Sequence, residues 1–148
     1  MTMDWRNSEG YPDFTAAEAL TNVTWGEKAE ARQYRSLVYI CSPFAGDTEY
    51  NISRARRYCR FAVSEGCIPL APHLHYPQFM DDLDKESREL GLTFAQFLLT
   101  KCDAVWVFGN RISDGMAREI AKAKKLAIPI RFFSEKCEEV MRHENRGR

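Results

Sequence analysis

The segment Ser113-Asp114-Gly115-Met116-Ala117-Arg118-Glu119 places a hydroxyl, two carboxylates and a glycine within two helical turns. The hydroxyl can hold a sugar oxygen or an anion, and the first carboxylate can accept from a sugar hydroxyl. The glycine allows close backbone approach, and Glu119 lies one turn further on, where a carboxylate can attack an electrophilic carbon. The segment follows an apolar run, Ala104-Val105-Trp106-Val107-Phe108, and opens a helical run from Met116 to Leu126. In an open α/β sheet, ligands bind where the carboxyl end of a strand gives way to a helix.

The elements that position such a segment follow from the pattern of apolar residues. Leu37-Val38-Tyr39-Ile40-Cys41 is an almost wholly apolar run, as expected for a strand covered on both faces. A loop, Ser42-Pro43-Phe44-Ala45-Gly46-Asp47, leads to a predicted helix over residues 48–65. There Ile52, Ala55, Tyr58, Cys59 and Ala62 recur at helical spacing, and Gly66 supplies a stop. Residues 67–71 form the second predicted strand, with Pro69 pointing to an edge or a strand end. A proline- and aromatic-rich loop over residues 72–81 precedes a helix over residues 84–100, with a possible break at Gly91. Then come the strand at 104–108, the helix at 115–126 and a last strand at 128–133. Ser134 is placed to cap a terminal helix, followed by a frayed tail over residues 142–148. Alternating strands and helices imply a parallel sheet with right-handed crossovers. The predicted fold class is therefore α/β, an open doubly wound parallel sheet of flavodoxin or Rossmann type, over residues 37–148. Residues 1–36, with Trp5, Trp25 and a Thr15–Glu18 capping box, read as an N-terminal helical arm that packs on the domain or on another subunit.

Three segments converge at the carboxyl ends of the strands in this arrangement: residues 42–47, 71–76 and 109–119. The first has neither a G-x-G-x-x-G fingerprint nor a P-loop, which excludes the common dinucleotide and nucleotidase motifs. Ser42, Gly46 and the amides opening the first helix could meet a phosphate, with Arg54 as a charge partner and Asn51 lining the site. Arg54, Arg56 and Arg57 fit better as a solvated helix face, with room for one of them to turn inward. His73 and His75 lack a third ligand at a recognisable spacing, so no metal is expected. The five cysteines, Cys41, Cys59, Cys67, Cys102 and Cys137, are scattered and form no close pair. That usage suits small buried hydrophobes in a reduced, cytoplasmic compartment. The formal net charge of zero across 148 residues argues against nucleic-acid binding by bulk electrostatics. No apolar stretch approaches a membrane span, and the charged residues Asp4, Arg6 and Glu9 are unlike a signal peptide.

Tyr39-Ile40-Cys41-Ser42-Pro43-Phe44-Ala45-Gly46, then Cys102-Asp103-Ala104-Val105-Trp106-Val107, then Ser113-x-Gly115-x-Ala117-x-Glu119 resemble the nucleoside 2-deoxyribosyltransferase superfamily, and within it a phage and bacterial branch of domains of unknown function. The resemblance covers residues 37–133. It implies that Glu119 is a nucleophile that attacks the anomeric carbon, displaces the base and forms a glycosyl-enzyme resolved by water or a second base. The bare sequence is also consistent with Glu119 as a carboxylate favourable in the first turns of a helix. By the same resemblance Tyr39 orients the nucleophile and Asp103 lies near the sugar and base, although Asp103 also suits a helix-to-strand turn and Tyr39 a buried strand aromatic.

At the Ser113 position, the branch cleaving nucleoside 5′-monophosphates carries a phosphate-holding serine, whereas the branch using free nucleosides carries an acidic residue. Ser113 followed by Asp114 fits both. Ser42, Phe44, Gly46, Asn51, His73, Ser113, Asp114, Gly115 and Met116 are the expected substrate contacts, with Asp114 as a candidate helix cap and His73 as a candidate proton donor to the base. The chain departs from the family in Ile120-Ala121, where a Leu-Gly pair is common. The expected activity is cleavage or exchange of the N-glycosidic bond of a (deoxy)nucleoside or its 5′-monophosphate, without a cofactor, by a homodimer or larger homo-oligomer. The alternative is a non-catalytic protein on the same fold that binds a nucleotide or an ADP-ribose-like ligand.

Overall fold

The computed structural model describes residues 34–81 and 83–141. The predicted arm lies, up to residue 33, outside the described residues, as does the tail over 142–148. Five strands form one sheet in the order β2-β1-β3-β4-β5. They are β1 (Leu37–Cys41), β2 (Ile68–Leu70), β3 (Ala104–Phe108), β4 (Ile130–Phe133) and β5 (Glu139–Val140). The first four run parallel, and β5 pairs antiparallel with β4. The helices are α1 (Thr48–Ser64), α2 (Pro72–His75), α3 (Lys85–Leu99) and α4 (Asp114–Lys125), with a 3-10 turn at Tyr76–Gln78.

Strand alternation sorts the apolar residues between two cores. Tyr39, Cys41, Val105 and Val107 pack with Leu99 of α3 and with Met116 and Ala123 of α4. Val38, Ile40, Trp106 and Phe108 face the other way, onto Tyr58 and Ala62 of α1. Tyr58 stacks on Phe108 with ring centroids 4.2 Å apart. This double coverage explains why β1 and β3 read as unbroken apolar runs rather than alternating ones.

The chain leaves β1 for β2 in one direction and β3 for β4 in the other. The helices of these crossovers therefore lie on opposite faces, and a crevice opens between the carboxyl ends of β1 and β3. The loop after β1 is shaped locally. Gly46 has a φ of +98°, a conformation in which a side chain would be strained. Asn51 donates to the carbonyls of Phe44 and Ala45 at 3.1 and 3.0 Å, and Asp47 caps α1 by accepting from the Tyr50 amide.

The fold differs from expectation in three places. Residues 72–78, read as loop, form α2 and the 3-10 turn, with Pro72 at the first helical position, where its missing N–H costs nothing. Gly91 does not interrupt α3. Ser134 caps no helix; its hydroxyl accepts from the Lys136 and Glu138 amides and anchors the turn into β5. Among the described residues, no helix is long and apolar enough to cross a membrane.

Candidate active site

A cavity of about 440 Å³ occupies the switch point beyond β1 and β3. Three chain segments build it. The end of β1 and its loop contribute Tyr39, Ser42, Pro43 and Phe44; the start of α4 contributes Ser113 to Met116, Arg118 and Glu119. The segment between β2 and β3 closes it with Pro72, His73, Tyr76 and Met80, and with Arg88, Gly91 and Leu92 of α3.

Glu119 is the chemical centre of this cavity. It is half-buried, and the Tyr39 hydroxyl and the Cys41 thiol stand beside its carboxylate, each favouring the charged form as a hydrogen-bond donor. Both donors are fully buried and stand two residues apart on β1, hence on the same face of the sheet. Burial raises the Glu119 pKa to about 7, against the opposing pull of the Cys41 and Tyr39 hydrogen bonds and the Arg118 charge. Burial also pushes the Tyr39 hydroxyl and the Cys41 thiol well above their ordinary values, with the Glu119 charge adding to the effect, so both remain proton donors at neutral pH.

Ser42, buried on the cavity floor, lies 3.1 Å from Nε2 of His73. Burial lowers the His73 pKa to about 4, so this imidazole is neutral at physiological pH and holds no spare proton for a leaving base. Its ring is tilted against Phe44, with centroids 6.2 Å apart. The cap of α4 is Ser113 rather than Asp114: the Ser113 hydroxyl accepts from the Met116 amide at 3.2 Å. Asp114 is the first helical residue and lines the cavity, where its negative charge complements the helix dipole. Met116 is buried, and its backbone carbonyl accepts from the Cys41 thiol at 3.9 Å, so the single thiol proton is shared between this carbonyl and Glu119.

Four expected positions fall elsewhere. Asp103 accepts from the Leu37 amide at 2.8 Å, at the amino end of β1. Val38 pairs in register with Ala104, so Asp103 stands at the amino edge of the sheet, and it does not line the cavity. Gly46 and Asn51 shape the loop after β1 without lining the cavity. Arg54 pairs with Glu135 at 2.7 Å and lies over the Tyr50 ring, away from the cavity lining.

Sequence reasoning missed Cys41, taken for a plain core residue, although its i+2 relation to Tyr39 was readable. It also missed Arg118 and Arg88. Arg88, Gly91, Leu92 and Ala95 share one face at helical spacing, a signal that gains meaning only once α3 is known to cover the site. Among the described residues, no group of three or more His, Cys, Asp or Glu side chains is arranged to hold a metal.

A family model described as a domain of unknown function, DUF7768, matches residues 36–133. No curated protein matches the sequence. Among solved structures, a 2-deoxyribosyltransferase from the psychrotolerant bacterium Bacillus psychrosaccharolyticus is 20% identical with a TM-score of 0.54, over 72% of this chain and 77% of that one. A 2-deoxyribosyltransferase from Leishmania mexicana is 17% identical with a TM-score of 0.47, over 67% of this chain and 64% of that one. A conserved protein from Enterococcus faecalis V583 is 16% identical with a TM-score of 0.47, and the chain spans 63% of its length. The likeness to the first is one of fold, a mostly parallel five-stranded sheet flanked by helices.

Proposed function

The chain belongs to the DUF7768 family, and from that premise we propose that it cleaves or exchanges the N-glycosidic bond of a (deoxy)nucleoside or its 5′-monophosphate, with Glu119 as nucleophile. The observation that carries the reading is the placement of Glu119 in the switch-point cavity, held by two buried donors, Tyr39 and Cys41. The fold shared with a 2-deoxyribosyltransferase supports it.

In this reading the Glu119 carboxylate attacks the anomeric carbon as the electron pair of the glycosidic bond leaves with the base. A glycosyl ester forms on Glu119. Water or a second base then attacks the same carbon and releases the carboxylate, so the configuration is retained. A pKa of about 7 keeps much of Glu119 ionised at neutral pH while leaving the carboxylate more basic than an exposed one. The Tyr39 hydroxyl and the Cys41 thiol fix its orientation. Ser42, Phe44, His73, Ser113, Asp114, Gly115 and Met116 line the space for sugar and base. Neutral His73 offers hydrogen bonding rather than a proton, so the departing base takes its proton from solvent.

The test is incubation of the protein with a panel of nucleosides and 5′-monophosphates, monitored for free base. Release by the wild type and its loss on Glu119→Gln, on the order of a thousandfold or more, is the expected result. Activity retained in that variant removes Glu119 as nucleophile. Saturable binding without base release, unaffected by Glu119→Gln, identifies a ligand-binding protein instead.

A further inference from the structure

A second depression, a groove of about 620 Å³ between α3 and α4, shares Gly115, Arg118 and Glu119 with the switch-point cavity. Arg118, Lys122 and Lys125 of α4 line it at i, i+4 and i+7, a single cationic stripe covering about 10 Å of helix axis. The facing wall on α3 is largely neutral, with Thr93 and Gln96 beside one carboxylate, Glu89. Among the described residues the ion pairs are Arg54–Glu135 and Arg131–Glu139, so no cation of the stripe is held in an ion pair, and Arg118 acts on the neighbouring Glu119 through its charge alone. At the other side of Glu119 the start of α4 already carries a negative charge, Asp114, and the Ser113 hydroxyl is engaged as the helix cap. An anion seated there would meet Asp114. One seated in the groove would meet three cations against two carboxylates, Glu89 and Glu119.

We infer that the groove is a subsite for the phosphate chain of a nucleotide whose sugar lies at Glu119, making nucleoside 5′-di- and triphosphates better ligands than monophosphates. The inference rests on the reading of Glu119 as the reacting centre, and the ladder gives it a direction. Arg118, next to Glu119 in the chain, meets the first phosphate, and Lys122 and Lys125 meet those further out. Lysine ammoniums and an arginine guanidinium donate to phosphate oxygens through charge-assisted hydrogen bonds. The same stripe would accept a polyphosphate unattached to any sugar, and the experiment separates the two sources.

Calorimetric titration of the full chain with each of the four common deoxynucleoside 5′-mono- and triphosphates, and with inorganic tripolyphosphate, tests this. The wild type is expected to bind at least one triphosphate about tenfold more tightly than its monophosphate, the scale of one charge-assisted contact. The double variant Lys122→Ala/Lys125→Ala, both outside the lining of the switch-point cavity, is expected to lose that difference and to keep its monophosphate affinity within about twofold. Equal affinities for mono- and triphosphate in the wild type, or a preference unchanged in the double variant, overturn the subsite. Binding of tripolyphosphate equal to that of every triphosphate means a general polyanion groove and overturns the link to the nucleotide. Base release assayed alongside keeps the two readings apart. Triphosphate preference without base release leaves the subsite standing and removes the glycosidic reaction; base release without the preference does the reverse.

Discussion

Glu119 binds a proton more tightly in the folded chain than in the unfolded one, because burial disfavours its charge more than its donors favour it. Its folded pKa of about 7 exceeds the ordinary glutamate value of 4.5, so its contribution to stability is fully present below pH 4.5 and is lost as the pH rises through 7. Urea unfolding of the wild type and Glu119→Gln at pH 5 and pH 8 should expose this. The wild type is expected to lose roughly 2 kcal/mol relative to the variant across that interval. A parallel pH dependence of the two proteins would mean that the carboxylate is not desolvated. Cys41→Ala removes one of the two donors and is expected to move the Glu119 titration, followed by carboxyl NMR, to higher pH. Cys41→Ser should restore it in part, since a hydroxyl also donates. A titration unmoved by Cys41→Ala would show that the thiol does not bond the carboxylate. Glu119 stood out by residue type and place and Tyr39 by the family resemblance, and both line the cavity; Asp103 was already legible as a helix-to-strand turn residue, and the resemblance alone put it near the sugar.

At the scale of elements, the start of α4 depends on one hydroxyl. Ser113→Ala leaves the Met116 amide without its acceptor and is expected to cost about 1 kcal/mol, read as a lowered urea midpoint. An unchanged midpoint would assign the cap to another group. The central strands and α1, α3 and α4 were legible because each satisfies its own pattern, continuous in β1 and β3 and periodic in the helices. The piece over residues 72–78 was not, since four residues of helix beginning at a proline hold no periodicity to detect. The turn at Ser134 was misread for a related reason. A serine hydroxyl accepting backbone amides caps a helix or anchors a turn by the same chemistry, and only the positive φ of Cys137, +63°, decides for the turn.

At the scale of the whole molecule, the outer surface around α3 leaves large apolar side chains uncovered, Phe79 at 64%, Leu83 at 95% and Phe97 at 60% exposure. We propose that copies of the chain associate, since apolar surface of this kind marks interaction sites. Light scattering at micromolar concentration is expected to give at least a dimer mass, and a monomer mass would refute the proposal. The cavity itself divides its labour along the chain. Tyr39, Cys41 and Glu119 come from β1 and α4, the rigid centre of the sheet, while most of the opposite wall, from Pro72 to Leu92, is drawn from the one stretch that links β2 to β3. On the proposed reaction, most of the wall facing Glu119 is thus separable from the carboxylate by two cuts in the sequence, while Ser42, Phe44 and Ser113 to Met116 stay with it. A relative differing in that stretch alone would inherit the same carboxylate and the same donors beneath a differently shaped ceiling. If the proposed reaction holds, grafting such a cassette is a direct way to change which base is accepted while leaving Glu119 and its neighbours on β1 in place.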